Sequence, residues 1–388
     1  MKLTKIKILN ALPVLGHPRH SKRICMLQQA GFEVEAVAFQ REYHSGRSPD
    51  CLVKLLGVID HGRYFVRSLK MLAALPVIRH AIKRNDLVYA FGPDMAFMAL
   101  LGGLGLGRPV ILEIGDIRTL QVAPGLKGYL ARVLDRYVAN ACSLLVATAP
   151  GFINDYYREK LGTQTPALIV ENKLEFSFTE SNSPEVSRRG GEKPLVDGPL
   201  RIGYFGVLRC ERSWQILEAL AESRPQEIEI VVAGYPMDPI DLPERAERKK
   251  NIQFIGEYRS PHDLFSLYNK VDIVWACYPF PRPGDLNWRW ARTNRFYESC
   301  YFQKPMISLA GSGDASEVKR YKIGMVINRG GVGEVVDELC NIKPCDLEFW
   351  QDNMKTLPEE VYIYTAEIEE LGDSIKCIAK KIAGDGEL

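Results

Sequence analysis

Arg201–Trp214 reads RIGYFGVLRCERSW. Its alternating segment Arg201–Phe205 predicts a strand that runs into Gly206. A turn carrying Arg209 and Arg212 follows, and a helix begins near Ser213. A tight strand-to-helix turn offers backbone N–H groups and the positive end of a helix dipole to an anion. Two guanidinium groups in the same turn add charge and forked donors suited to phosphate.

Outward from this stretch, the same alternation extends in both directions. Strands are expected at 6–10, 33–39, 51–56, 86–90, 109–114, 143–148 and 167–170, with helices of about 10–15 residues between them. The segment 61–85 reads as one or two helices interrupted at Pro76. Periodicity then lapses in SFTESNSPEVSRRGGEKPLVDGP and resumes at Arg201, with strands at 201–205, 228–232, 252–255, 271–275, 305–309 and 323–327. Helices are expected near 213–223, 261–270 and 289–303, and from Gly333 to the end with breaks at Pro344 and Pro358. The expectation is α/β: two Rossmann-like, doubly wound parallel-sheet domains. Their bounds are 1–176, a linker 177–199, 200–358, and a last helical segment 359–388.

The chain has 388 residues, too many for one ordinary core, which agrees with two domains. Net charge is +2, unevenly spread: residues 1–190 carry 25 Lys and Arg against 16 Asp and Glu, and the remainder carries 25 against 32. Only the front half is therefore suited to an anionic partner: a membrane surface, a phosphorylated substrate or nucleic acid. In 61–85, Arg63, Arg67 and Lys70 lie at helical spacing beside an apolar stripe, the pattern of a segment resting on an anionic bilayer; a packed helix with a wet polar side is the alternative. Nine scattered cysteines without CxxC, and a first strand where a signal peptide would stand, lead to reduced thiols and a cytoplasmic location, peripheral at the inner membrane face in the bilayer reading.

Two further groups of residues could carry chemistry. At 289–303, Trp290, Thr293, Tyr297 and Cys300 are expected on the buried side of one helix, and Ala291, Asn294, Arg295 and Glu298 on another. A carboxylate there suits the hydroxyls of a ribose and the arginine a diphosphate; a simple ion pair on a wet face is the alternative. In the front half, Gly16 and His17 follow the first strand, and Asp116 and Arg118 follow the strand ending LEIGDIR. Carboxyl ends of parallel strands are where such sheets hold ligands. Against this stand a plain turn at Gly16 and, for Asp116, a helix N-cap or a salt bridge with Arg118. His17 and His20 have no third ligand at metal spacing, and no DxD, Walker A or GxSxG motif occurs.

Taken together, IGYFGVLRCERSW, VVAGYP, NIQFIGEYRSPHDLFSLYNKVDIVWA and TNRFYESCYFQKPMI resemble the motifs of glycosyltransferase family 4, retaining enzymes of the GT-B fold, over about 200–330. LEIGDIR resembles the family's E-x-x-D. The resemblance implies two domains facing a cleft, a last helix that crosses back to the first domain, and retaining transfer from a UDP- or GDP-linked sugar. The acceptor would be a glycan or lipid-linked intermediate of surface polysaccharide synthesis. It implies no metal or other cofactor and no nucleic-acid partner. Carried over, Arg212 stands for the phosphate-binding Lys with Arg209 beside it, Arg295 for the motif Lys, and Glu298 for the ribose-binding Glu. Asn294 lies beside Arg295, and Gly206, Gly234, Glu257 and Tyr258 border the donor. Asp116, Arg212 and Arg295 are the catalytic candidates, and Gly16, His17, Asp116 and Arg118 the acceptor side. Two positions depart from the pattern: Trp290 where the first Glu of E-x7-E belongs, and Gly115 where a His commonly precedes the Asp. They keep two other readings open, a GT-B sugar-nucleotide epimerase and an inactive GT-B binding or scaffold subunit.

Overall fold

The computed structural model describes residues 5–40, 48–59, 64–175, 198–277, 279–281 and 284–384. It divides into two units, Met1–Asn172 with Thr365–Leu388, and Lys173–Tyr364. Of the linker read at 177–199, only 198 and 199 are among the described residues. Arg63 and the side chain of Arg67 also lie outside them, whereas Lys70 is exposed and its Nζ donates to the Val58 carbonyl.

The first unit is built from β1 (Lys7–Leu12), α1 (Pro18–Gln29), β2 (Glu33–Gln40), β3 (Leu52–Val58), α2 (Tyr64–Ala73), α3 (Leu75–Lys83), β4 (Leu87–Phe91) and α4 (Pro93–Gly102). Then come β5 (Val110–Ile114), α5 (Thr119–Val122), α6 (Gly125–Ala141), β6 (Leu144–Ala147), the π-helical α7 (Phe152–Lys160) and β7 (Ala167–Ile169). The sheet order is β3-β2-β1-β4-β5-β6-β7, parallel throughout. Every residue of β4, β5 and β6 is buried, as unbroken apolar runs in a two-sided parallel sheet should be. Pro76 sits in the first turn of α3, where its missing N–H costs no helical bond, so the segment 64–83 breaks at Ala74.

The second unit repeats the plan: β8 (Leu200–Arg209), α8 (Glu211–Ser223), β9 (Ile228–Asp238), α9 (Leu242–Glu247), β10 (Ile252–Gly256), α10 (Leu264–Tyr268), β11 (Ile273–Trp275), α11 (Asn287–Trp290) and α12 (Asn294–Tyr301). β12 (Met306–Leu309), α13 (Gly313–Tyr321), β13 (Gly324–Ile327), α14 (Val332–Leu339) and α15 (Pro344–Lys355) follow. Its sheet order is β10-β9-β8-β11-β12-β13, again parallel. Trp214 and Trp275 are fully buried in the core on one face of this sheet. The last helix, α16 (Glu367–Gly384), belongs to the first unit and packs on α1: a Cβ at Gly372 would stand 3.2 Å from that of Ala30. In each sheet the strand order reverses once, between β1 and β4 and between β8 and β11. Loops at the carboxyl side of such a reversal diverge and leave a crevice.

Two local expectations are corrected. β8 does not turn at Gly206 but continues to Arg209, because it stays paired with β9 as far as Asp238. Gly206 and Gly234 face each other in that ladder at φ 111° and 136°, and a Cβ on Gly234 would lie 1.8 Å from the Gly206 carbonyl oxygen. The two glycines therefore permit a close backbone approach rather than a turn. The helix expected at 289–303 is two short helices: Ala291 and Thr293 are extended, so Trp290 leaves the face of Thr293 and Tyr297. Trp290 is only partly buried, and the buried tryptophan is Trp288.

Candidate functional site

In the second unit, the β8–α8 and β11–α11 connections meet at the strand-order reversal, tied by a residue that the sequence reading passed over. Cys210 is the N-cap of α8, its Sγ accepting from Ser213 N at 3.4 Å and from Phe280 N at 3.3 Å. Arg212 therefore lies in the first turn of the helix. Its Nη2 donates to the Gly330 carbonyl at 2.5 Å, and its guanidinium stands 6.0 Å from the Phe280 ring centroid. Arg209, at the end of β8, is exposed.

Arg295 enters the same place from α12. Its Nη2 donates to the Cys277 carbonyl at 3.0 Å, just past β11, and its guanidinium lies 5.6 Å from the centre of the buried Tyr204 ring. Its Nη1 is buried and has no hydrogen-bond acceptor among the described residues. A buried N–H of a permanent cation left without an acceptor costs about 1–3 kcal/mol or more, a cost an incoming anion relieves.

What aims Arg295 is the cap of its helix. The Thr293 hydroxyl accepts from Phe296 N at 3.2 Å and donates to Asp314 Oδ2 at 2.7 Å, and Thr293 N donates to Asp314 Oδ1 at 3.1 Å. Asp314 is fully enclosed, and burial pushes its carboxyl up to about 6. It stands in the first turn of α13, whose Gly313 admits the Trp290 and Ala291 carbonyls: a Cβ there would meet them at 2.8 and 2.7 Å. The glycine turn GSGD thus clamps the start of α12. Asn294, at the first position of that helix, is exposed.

Glu298 lies one turn further along and is buried, on the inner side of α12 and not on a wet face. Its Oε2 accepts from the Tyr268 hydroxyl at 2.8 Å. Burial, and then the Glu298 charge, push the Tyr268 and Tyr258 hydroxyls well above the ordinary phenol range, while the Arg295 charge acts the other way on both. The Tyr258 hydroxyl lies 4.0 Å from where a Cβ of Gly206 would stand. Gly206, Tyr258, Arg295 and Glu298 are thereby gathered at the carboxyl ends of β8 and β11, together with Arg212; Glu257 is exposed beside Tyr258.

In the first unit the equivalent reversal holds a buried ion cluster. Glu113, next to last in β5, has no exposed side-chain surface; its Oε2 takes Arg23 Nε at 2.8 Å and the Tyr89 hydroxyl at 2.6 Å. Arg19, from the start of α1, approaches from above: Nε lies 3.8 Å from Glu113 Oε1 and Nη1 lies 3.9 Å from Asp116 Oδ2. Its guanidinium fills the space over Gly115, where a Cβ would fall 1.5 Å from Nη1. Asp116 is exposed and accompanied by Arg19, whereas Arg118 is drawn away, its Nη1 donating to both Asp94 carboxylate oxygens at 2.7 and 2.8 Å. The Asp116–Arg118 pair expected as one alternative does not form. Gly16 (φ 84°) turns the chain into His17, whose ring stacks on His20 at 4.6 Å; the His20 Nδ1 faces the Val14 carbonyl at 3.2 Å. Nothing in the local sequence pattern points to Arg19, because its partners lie some 95 residues away. A recess lined by Lys7, Glu33, Glu35, Arg84 and Asn85 opens at the amino edge of this sheet, away from these loops.

Residues 24–172 match the family model of the glycosyl transferase 4-like domain. The chain is 27% identical over 351 residues to the succinoglycan biosynthesis protein ExoL of Rhizobium meliloti strain 1021, covering 87% of this chain and 85% of that protein. The fold is GT-B: the Anabaena protein Alr3699/HepE in complex with UDP superposes with a TM-score of 0.68 at 15% identity, over 96% of this chain and 100% of that one. Sucrose-phosphate synthase from Thermosynechococcus elongatus superposes with a TM-score of 0.70 at 12% identity, over 96% and 99%. The matched domain and the fold agree with the resemblance drawn from the motifs.

Proposed function

We propose that the chain transfers a sugar from a nucleoside-diphosphate donor to a glycan or lipid-linked acceptor in the assembly of a surface polysaccharide, with retention at the anomeric carbon. The observation that carries the donor side is Arg295 Nη1, a buried cationic donor lacking an acceptor beside Arg212 at a strand-order reversal. The donor is UDP-linked on the strength of the similar HepE fold, which is known with UDP and with UDP-glucose bound. The ExoL likeness supports a polysaccharide acceptor.

In this reading the second unit holds the donor. Arg209, Arg212 and Arg295 neutralise the charge that gathers on the diphosphate as it leaves, so no metal ion is invoked. Arg295 is fixed beforehand by the Thr293–Asp314 clamp and need not reorganise during the reaction. Glu298 holds the ribose hydroxyls, with Tyr268 setting its carboxylate, and Gly206, Gly234, Glu257, Tyr258 and Asn294 border the donor. The first unit receives the acceptor at Gly16, His17 and Asp116, with Arg19 beside the Asp116 carboxylate. The cell compartment that fits is the cytoplasm, where nucleotide sugars are used.

A thermal-shift panel of UDP, GDP, UDP-sugars and GDP-sugars tests the donor. We expect UDP and one or more UDP-sugars to raise the melting temperature and Arg295→Ala to abolish the rise. No response to any nucleotide would sink the donor reading. Incubation with the donor alone separates the reading from epimerisation, which needs no acceptor.

A further inference from the structure

Helix α6 shows an apolar stripe to solvent. Leu126, Tyr129, Leu130, Val133, Leu134 and Tyr137 fall at i, i+3, i+4, i+7, i+8 and i+11, and each is between 47% and 72% exposed. A helix on a globular protein ordinarily turns such a stripe inward. Here the inward side is Gly128, Asp135, Val138 and Ala139. Leu120 on α5 extends the exposed stripe at its amino end. Six large apolar side chains in one continuous row are more than scattered surface apolars account for.

The exposed charges of this helix are all of one sign. Lys127 and Arg136 are exposed and form no ion pair among the described residues. Arg132 is held at the side by the Gln121 and Ala123 carbonyls. The helix has one acid, Asp135, and it is turned inward, where Gln121, Tyr156 and Tyr157 donate to it and burial raises its carboxyl. The outer face is therefore apolar and cationic without a carboxylate, and its tyrosines carry the amphipathic rings suited to a boundary between water and hydrocarbon. Among the described residues no helix is long and apolar enough to cross a membrane, so a bilayer contact of this helix lies along the surface. The segment 61–85, where a bilayer contact was expected from the sequence, shows less of this among its described residues: Leu69 and Leu72 are exposed, but the Lys70 ammonium is taken by a carbonyl.

We propose that α6 docks the protein on an anionic bilayer, its stripe entering the headgroup boundary and Lys127 and Arg136 meeting lipid phosphates. The docking stands on this face alone. Its consequence rests on the proposed function: Asp116 immediately precedes α5 and α6, so docking holds the acceptor side of the site at the bilayer surface, where a lipid-linked acceptor resides.

Sedimentation of the purified full chain, without donor, tests docking independently of catalysis. The vesicles are phosphatidylcholine alone or phosphatidylcholine with phosphatidylglycerol. We expect partition onto the phosphatidylglycerol vesicles, weakened by salt. The triple variant Tyr129→Ser/Leu130→Ser/Val133→Ser should lose it by ~10-fold or more while keeping its melting temperature, because all three side chains are exposed. The milder Lys127→Gln/Arg136→Gln should lose the preference for phosphatidylglycerol. Wild-type protein left in the supernatant with both vesicles overturns the proposal, as does a triple variant that sediments like wild type. A wild-type dimer that the triple variant dissociates, with no vesicle binding, also overturns it and makes the stripe a contact between two copies.

Discussion

Arg19 and Gly115 share one space: the guanidinium of the first lies where a side chain on the second would begin, 1.5 Å from Nη1 to the ideal Cβ position. The loop after β5 is thus furnished by a residue of α1, some 95 positions earlier, and a cation stands next to Asp116 although residue 115 has no side chain. The obstacle is the far end of a flexible side chain, so Gly115→Ala should fold but push Arg19 out. We expect Gly115→Ala and Arg19→Ala to impair transfer alike, mainly through the KM for acceptor, and their double variant to be no worse than either. Additive losses in a double-mutant cycle would show that the two residues act separately.

Arg295→Ala should reduce turnover by ~10²–10³, the usual loss when one preorganised donor to a developing anion is removed. Arg212→Ala should do the same on a smaller scale, because its guanidinium also ties the Gly330 carbonyl and part of its loss is structural. Steady-state kinetics with melting curves separates the two effects. Near-normal kcat in Arg295→Ala would remove that residue from the mechanism.

How much of this was legible follows from which interactions are local. The two sheets were readable because a parallel strand is an apolar run between helix-period segments, and Val110–Ile114 or Ile228–Val232 leave no other option. Motif order singled out Arg212, Arg295 and Glu298, which the fold places around the carboxyl ends of β8 and β11. The break at Ala291–Thr293 was not, since it depends on Asp314, whose carboxylate reaches Thr293 from another helix. Nor was the strand-like path of Gly206, which depends on Gly234 opposite it. The α6 stripe was not singled out in the sequence, where its helical spacing alone cannot say whether a stripe faces inward or outward.

Glu298 and Tyr268 form a buried pair that should set the ribose site. Tyr268→Phe removes the donor to Glu298 Oε2 at the cost of about 1–3 kcal/mol of stability. We expect it also to weaken UDP binding, measured calorimetrically well below the melting temperature, and Glu298→Ala to weaken it further. UDP affinity unchanged in both variants would leave the pair with a purely structural role.

Asp314 should make stability depend on pH. Its carboxyl is raised from 3.8 to about 6 by burial. Between those values the folded protein holds a proton that the unfolded chain has released, so stability falls as pH rises across that window and levels off above it. A shift of two units corresponds to a contribution on the order of 2–3 kcal/mol. Asp314→Asn carries no such proton while its amide oxygen can still accept from Thr293, so we expect its denaturation midpoint to fall less between pH 4 and 6 than that of the wild type. The comparison is a pair of urea titrations across that range. Parallel pH profiles for the two proteins would mean that Asp314 is ionised at its ordinary value, and that the clamp on α12 carries a full charge throughout.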